Sequence, residues 1–154
     1  MDMILTLDPG VDTGWSLFEE GKLAACGLGR PSLAEYGGPF AEVLIECEEL
    51  RGRGEKNPNA ILKMARTAGE HAGYFADRAK VVRYVRVAEW KGSTPKTICH
   101  ARIWGRLDEW EKAIVDACFR AAKGRKGMPE SKRHNVLDAI GIGLNAVGRM
   151  GVGS

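Results

Sequence analysis

The sequence predicts an α/β domain of five strands and four helices. Short apolar runs rich in β-branched residues dominate its first half, and apolar residues at helical spacing dominate its second half. The predicted order along the chain is β-β-β-β-α-β-α-α-α. With 154 residues, of which 44% are apolar and 28% charged, the chain is expected to form one domain over residues 1–154 with a sizeable core.

Turn residues delimit the predicted strands. The first strand stops before Pro9-Gly10, and a hairpin around Glu20-Gly21 joins the second strand to the third. A proline- and glycine-bearing connector over residues 30–40 precedes the fourth. We expect strands at residues 3–8, 13–19, 22–28, 42–47 and 81–87.

Capping residues mark the predicted helix starts. Asn59 is the expected N-cap of the first helix. Thr94 is that of the second, with Pro95 at the first helical position. The last helix is expected from Ser131 to Val147. The third is expected over residues 108–122, with an apolar face of Trp110, Ile114, Ala117, Cys118 and Ala121.

Composition narrows the classes of function. The sequence has no apolar run of about 18 residues, so no membrane span is expected. Its start lacks the basic and apolar regions of a signal peptide. The four cysteines have no CxxC spacing, which disfavours a zinc site and predicts reduced thiols in a cytoplasm.

Three acidic residues stand in settings typical of a hard-cation site. Asp8 follows the run Ile4-Leu5-Thr6-Leu7, Glu46 follows Val43-Leu44-Ile45, and Asp138 lies in a small-residue helix. Oxygen ligands of this kind suit Mg²⁺ or Mn²⁺ and point to phosphodiester chemistry. Alternatively, Asp8 caps a turn and Glu46 ends a strand in solvent.

The last helix carries further candidates around Asp138. Asn135 at i−3 and His134 at i−4 share its face, near a helix start that favours anions. The alternative for His134 is a surface histidine. Gly141 and Gly143 are costly inside a helix, which predicts close approach of this helix to the sheet. Glu48 is expected on the same face as Glu46.

Basic residues surround these acids in the sequence. Lys91 and Lys96 frame a turn before a helix, a setting that suits a phosphate, although a capped surface turn is the alternative. Trp90, beside Lys91, is a candidate for nucleic acid contact. Two basic runs flank Glu46 and Asp138; such runs are usually solvated, but this placement favours a polyanion partner. Their candidate DNA-binding residues are Arg51, Arg53, Lys56, Lys123, Arg125 and Lys126.

Five stretches of the sequence form a recognisable set: LTLDPGVDTGW (5–15), VLIE (43–46), NPNAILKMARTAG (57–69), WKGSTPK (90–96) and HNVLDAIGIGLNA (134–146). Together, and in this order, they resemble the RuvC-type Holliday junction resolvases of the RNase H-like superfamily. Short length and short loops make the chain similar to the phage-encoded branch of that family.

This resemblance implies a mixed five-stranded sheet flanked by helices, a homodimer, and two Mg²⁺ ions per active site, which Mn²⁺ may replace. It carries the acidic ligands over to Asp8, Glu46 and Asp138. The family's fourth ligand falls on Asn135, with His134 one residue away. We expect the dimer contact on the helix after Asn59, whose small residues permit close approach: Ala65, Ala68 and Ala72.

The resemblance implies metal-assisted nicking of two opposing strands of a four-way DNA junction. Asp8 would bridge the two cations, Glu46 would bind one, and Asp138 with His134 or Asn135 the other. Lys91 and Lys96 would offset phosphate charge. The alternatives are an RNase H-like nuclease of broader branched-DNA specificity and a non-catalytic DNA-junction binding protein. The expected location is the cytoplasm, that of a bacterial host if the chain is phage-encoded.

Overall fold

A computed structural model describes residues 2–31, 33–48, 57–121 and 127–150. Within these ranges the strands are β1 (Met3–Asp8), β2 (Gly14–Glu19), β3 (Lys22–Leu28), β4 (Phe40–Glu46) and β5 (Ala79–Val85). The helices are α1 (Leu33–Tyr36), α2 (Pro58–Phe75), α3 (Val87–Trp90), α4 (Lys96–Arg106), α5 (Glu109–Ala121) and α6 (Glu130–Ala146).

The five strands form one mixed sheet in the order β3-β2-β1-β4-β5. The first three strands are antiparallel neighbours, whereas β1, β4 and β5 run parallel to one another. Helices pack on both faces of this sheet, which confirms the predicted α/β class and the mixed five-stranded sheet flanked by helices. Leu7 pairs with Ile45. The next residues, Asp8 and Glu46, therefore end adjacent parallel strands.

Each face of the sheet has its own apolar core. On one face α2 contributes Ala68 and Phe75, which pack with Leu7 and Ile45. On the other face α4, α5 and α6 pack against residues such as Phe18 and Leu44. Because successive strand residues point to opposite faces, β1 and β4 are buried on both sides.

Proline positions explain three shifts in the predicted helix starts. The N-cap of α2 is Asn57, whose side chain accepts a hydrogen bond from the backbone N–H of Ala60 at 3.3 Å, and not Asn59. Pro95 and Pro129 are the N-caps of α4 and α6, in place of Thr94 and Ser131. At each start the proline lies at the cap or the first helical position, where its missing N–H costs no helical hydrogen bond.

The predicted inner face of α5 is right only in part. Ile114 and Cys118 pack against the core, but Trp110 is 78% exposed. The residues that α5 buries include Glu111 and Val115. The Glu111 carboxylate accepts hydrogen bonds from both terminal nitrogens of Arg149 at 2.7 Å and from the backbone N–H of Leu23 at 2.7 Å. These donors, chiefly the Arg149 guanidinium, lower the pKa of Glu111 against the opposing effect of burial. Because a buried, paired acid occupies a core position, the apolar residues of α5 do not show the helical period clearly in the sequence.

The alanine-rich face of α2 packs in part against the chain's own sheet. Ala68 is fully buried, and the half-buried Ala72 packs against the same core. Ala65 is half-buried as well. Ala68 is therefore not available to a second copy of the chain, and dimerisation through this helix stays a prediction. The connector over residues 30–40 contains the short helix α1.

Some predictions fall on residues outside the described ranges: Arg51, Arg53, Lys56, Lys123, Arg125 and Lys126. In the part of the chain that is described, none of the helices combines the length and apolar character needed to span a bilayer.

Close contact between α6 and the sheet confirms the prediction from its glycines. A Cβ on Gly143 would lie 2.1 Å from the Phe18 ring, and one on Gly141 would lie 2.5 Å from the Trp90 ring. From the sheet side, a Cβ on Gly14 would lie 2.1 Å from the Asn135 carbonyl oxygen. Only glycine at these positions allows the helix to approach this closely.

We predict that Gly143→Ala lowers the free energy of unfolding by about 1–3 kcal/mol, because the added methyl group overpacks against Phe18. Gly69→Ala in α2 is the matched control. Its added Cβ meets no described atom within 4 Å, so it should raise the free energy of unfolding by about 0.5–1 kcal/mol through helix propensity. Urea denaturation measures both, and equal effects would contradict the close contact.

Candidate active site

The carboxyl ends of two neighbouring parallel strands place Asp8 and Glu46 side by side. Both are the last residues of their strands, β1 and β4, and they are 6% and 8% exposed. The strands are buried on both faces, so the backbone holds the two carboxylates in fixed positions. Neither residue ends its strand in solvent, which was the alternative for Glu46.

Two strand hydroxyls hold α6 over this end of the sheet. The Thr6 hydroxyl donates a hydrogen bond to the carbonyl oxygen of Ala139 at 2.6 Å. The Ser16 hydroxyl lies 3.0 Å from the same oxygen and contacts the Thr6 hydroxyl. These buried contacts fix the turn of α6 that carries Asp138, next to Ala139, against β1 and β2.

The three carboxylates interact electrostatically. Burial raises the pKa of Asp8 well above its ordinary value, and the negative charges of Glu46 and Asp138 raise it further. Burial and the charge of Asp138 also raise the pKa of Glu46, to about 7. Asp8, Glu46 and Asp138 therefore share one region of low polarity in which their charges repel.

Ring nitrogens of two other side chains contact two of these carboxylates. The Trp90 indole donates from Nε1 to Glu46 Oε2 at 3.1 Å, which opposes the rise in the pKa of Glu46. His100 Nε2 lies 2.7 Å from Asp138 Oδ1. Trp90 is buried with its ring against Glu46 and α6, so this candidate for nucleic acid contact belongs to the core instead.

Sequence reasoning missed His100. The histidine lies on α4, and only the contact of α4 with α6 brings it to Asp138, 38 residues away. Nothing in the residues next to it has the spacing of a metal-ligand motif. Tertiary packing brings His100 to Asp138, and no local sequence pattern indicates this contact.

Lys91 and Lys96 lie near the carboxylates. The charges of Lys96 and Lys91 oppose the rise in the pKa of Asp8, and that of Lys91 opposes the rise in the pKa of Glu46. Lys96 begins α4 and Lys91 directly follows α3. The structure thus brings both lysines within electrostatic range of the acidic cluster.

The two candidates for a fourth ligand differ in their contacts. The Asn135 amide donates to the carbonyl oxygen of Asp12 at 2.9 Å, and so ties the loop after Asp8 to α6. The His134 ring lies 4.8 Å from the His100 ring, and its Nε2 is 3.9 Å from Glu130 Oε1. Partial burial lowers the pKa of His134, and the electrostatic effects of His100 and Lys96 lower it further.

Glu48 supports the cluster indirectly. Its Oε1 accepts a hydrogen bond from the backbone N–H of Val87, the first residue of α3, at 2.9 Å. That helix carries Trp90, the donor to Glu46. The negative charge of Glu48 also contributes to the raised pKa of Glu46.

The donor set fits a hard divalent cation. Asp8, Glu46 and Asp138 supply carboxylate oxygens, the ligands that Mg²⁺ and Mn²⁺ prefer. Their mutual repulsion, seen in the raised pKa values of Asp8 and Glu46, is what a bound cation relieves. Among the described residues, however, no three Asp, Glu, His or Cys side chains form a ready-made ligand cage. The donors fit in kind, and cation binding would draw their side chains together.

No protein-family model matches the sequence, and the curated proteins include no similar sequence. Among solved structures, Thermus thermophilus RuvC in complex with a Holliday junction substrate is 16% identical, over 98% of this chain and 97% of that chain, with a TM-score of 0.42. A second Thermus thermophilus RuvC structure is 14% identical, over 96% and 97% of the two chains, with a TM-score of 0.39. Sequence identities and TM-scores this low do not show what activity this chain has.

The raised pKa of Glu46 predicts a pH dependence of stability. Its value in the folded protein is about 7, against an ordinary value of 4.5. Between these values the folded state binds more protons than the unfolded state, so stability falls as the pH rises through about 7. We predict that the metal-free protein is less stable at pH 8 than at pH 5.5.

Glu46→Gln should reduce this loss of stability by on the order of 1–3 kcal/mol. Glu42→Gln, on the same strand, is the matched control and should keep the dependence of the unchanged protein. Urea denaturation in a chelating buffer between pH 5.5 and 8 measures the effect. The same pH dependence in Glu46→Gln and the unchanged protein would contradict the assignment to Glu46.

Proposed function

We propose that this protein is a divalent-metal-dependent DNA endonuclease that resolves four-way junctions by paired nicking. The observation that carries the proposal is the convergence of three carboxylates from β1, β4 and α6, with two lysines beside them. Buried carboxylates that repel one another are unfavourable for folding, so their assembly needs a function. Metal-assisted hydrolysis of a phosphodiester gives them one.

Asp8, Glu46 and Asp138 would hold two Mg²⁺ ions, which Mn²⁺ may replace. The ions would polarise the phosphodiester and lower the pKa of the attacking water. Asp8 is proposed as the ligand that the two ions share, because it is close enough to both Glu46 and Asp138 for their charges to raise its pKa. Asp138 would bind together with His134 or Asn135 on the same face of α6.

The chain's lysines would place the phosphate. Lys96 at the start of α4 and Lys91 after α3 are near the acidic cluster without being ligands. A phosphate between them and the cations would be held in position and its developing negative charge offset. As at any helix start, the first backbone N–H groups of α4 point out of the helix end, and this orientation favours binding of an anion.

Branched DNA is the proposed partner, bound by a homodimer. Two copies of the site in a fixed relation are what paired nicking of opposing strands requires. The motifs over residues 5–15 and 134–146 support this choice of substrate. The net charge of +3 and the basic runs support a polyanion partner. Arg51, Arg53 and Lys56 are proposed to reach the junction centre, and Lys123, Arg125 and Lys126 the backbone of an arm.

We predict that Asp8→Asn, Glu46→Gln and Asp138→Asn each lower junction cleavage by more than about 100-fold. Loss of a residue that only orients a metal ligand costs about 10–100-fold, so loss of a ligand itself should cost more. Junction binding should persist, because each change removes one charge and keeps the shape of the side chain. Asp116→Asn, an exposed acid on α5, is the matched control and should cleave at the normal rate.

The assay uses a synthetic four-way junction, a flap and a linear duplex, each with Mg²⁺ or Mn²⁺. Selective nicking of the junction in opposing strands supports the proposal. Equal cleavage of the flap would instead indicate a broader branched-DNA nuclease. Junction binding without cleavage would indicate a non-catalytic junction-binding protein. Near-normal cleavage by any of the three variants would remove that residue from the ligand set.

His134→Ala and Asn135→Ala should differ in effect. We predict that His134→Ala lowers cleavage by more than about tenfold, because an imidazole is a better transition-metal ligand than an amide. Asn135→Ala should mainly lower stability, since its amide holds the carbonyl of Asp12. Cleavage rates and urea denaturation of both variants measure this. A larger loss of cleavage in Asn135→Ala, at normal stability, would transfer the role to Asn135.

A further inference from the structure

His100 makes a short contact with one acid of the cluster. Its Nε2 is 2.7 Å from Asp138 Oδ1, and the two side chains are 10% and 15% exposed. A contact between a ring nitrogen and a carboxylate is strong when it is this short and this shielded from water. The position of Asp138 therefore depends on α4 as well as on its own helix.

The segment of α4 that contains His100 is held firmly by packing. Cys99 and Ile103, on the turns beside His100, are buried in the core that α4 shares with α6. An added Cβ on Gly141 would lie 2.8 Å from Ile103 Cδ1, so the two helices are in close contact. With both helices fixed, the distance between His100 and Asp138 is fixed as well.

The ring of His100 also contacts the ring of His134. The two ring centroids are 4.8 Å apart, with an angle of 41° between the ring planes. When Nε2 carries the hydrogen, it donates a hydrogen bond to Asp138 Oδ1. The second oxygen of the carboxylate then remains available to bind a cation. Trp90 does the same for Glu46 from α3. The α3–α4 region thus presents a ring N–H donor to each of two acids.

We propose that His100 is a positioning residue: its Nε2–H fixes the carboxylate of Asp138 in the orientation that a divalent cation requires. The inference rests on the proposed function, since it assigns Asp138 to a cation. Partners of this kind orient metal ligands in general, and their loss costs about 10–100-fold in metal affinity or activity.

Two variants separate donation from shape. His100→Phe keeps a flat ring and removes the donor, whereas His100→Gln keeps an N–H donor at a similar distance from the backbone. We expect His100→Phe to weaken Mn²⁺ binding about 10–100-fold and to lower kcat by a similar factor, with little change in KM for the junction. His100→Gln should recover most of both losses.

Mn²⁺ binding is measured without DNA, from the electron paramagnetic resonance signal of the free ion. This readout does not depend on activity. If the unchanged protein cuts no branched DNA and Mn²⁺ affinity still follows the expected order, the proposed function fails and the role of His100 stands. If Gln recovers nothing, or Phe binds Mn²⁺ normally, the role of His100 is refuted whatever the activity.

The tautomer of His100 gives a test that does not need His100→Phe to fold. In ¹⁵N-histidine NMR of the metal-free protein at pH 8, we expect the Nε2–H form of His100, assigned by its loss in His100→Gln. Asp138→Ala should remove the preference for that form. An Nδ1–H tautomer in the unchanged protein, or a tautomer insensitive to Asp138→Ala, would overturn the proposal.

Discussion

The contact of α6 with the sheet is the constraint on which the candidate site depends. Asp8 and Glu46 are placed by the ends of adjacent strands, which follows from the parallel register of β1 and β4. The third acid, Asp138, comes from a helix, so its distance from the other two depends on how closely that helix packs against the sheet. Gly14 and Gly143 allow the approach, and the hydroxyls of Thr6 and Ser16 fix it.

Assembly of the three acids has an energetic consequence. In the metal-free protein, burial and like charge disfavour ionisation of Asp8 and Glu46, so both carboxyl groups tend to retain protons. The site is thus a local source of instability that the surrounding core has to offset. Where such a conflict between stability and charge persists, a function that uses the charge is the most direct explanation.

Sequence reasoning succeeded where the signal is local. The strands β1 to β3 and the turn residues between them follow from short-range patterns, and so does the placement of Asp8 and Glu46 at strand ends. Two glycines of α6 predicted the close helix–sheet contact, because their cost in a helix needs a packing reason.

It failed where partners are distant in sequence. The rings of Trp90 and His100 reach their acids through tertiary contacts, so no spacing motif marks these two residues. Glu111 is buried because Arg149 neutralises it, and an acid at a core position broke the apolar period of α5. The two shortest helices, α1 and α3, span one turn each and contain too few residues to show a period.

Binding of a divalent cation by Asp8, Glu46 and Asp138 together is tested most directly by isothermal titration of Mn²⁺. Titration at pH 6.5 and at pH 8.5, each in two buffers of different ionisation enthalpy, measures the protons released on binding. Because the ligands have to be ionised, we expect binding with clear proton release at pH 6.5, less release at pH 8.5, and weaker binding with reduced release in Asp8→Asn. No binding, or a proton release unchanged between the two pH values and in Asp8→Asn, would show that these three acids do not form a cation site.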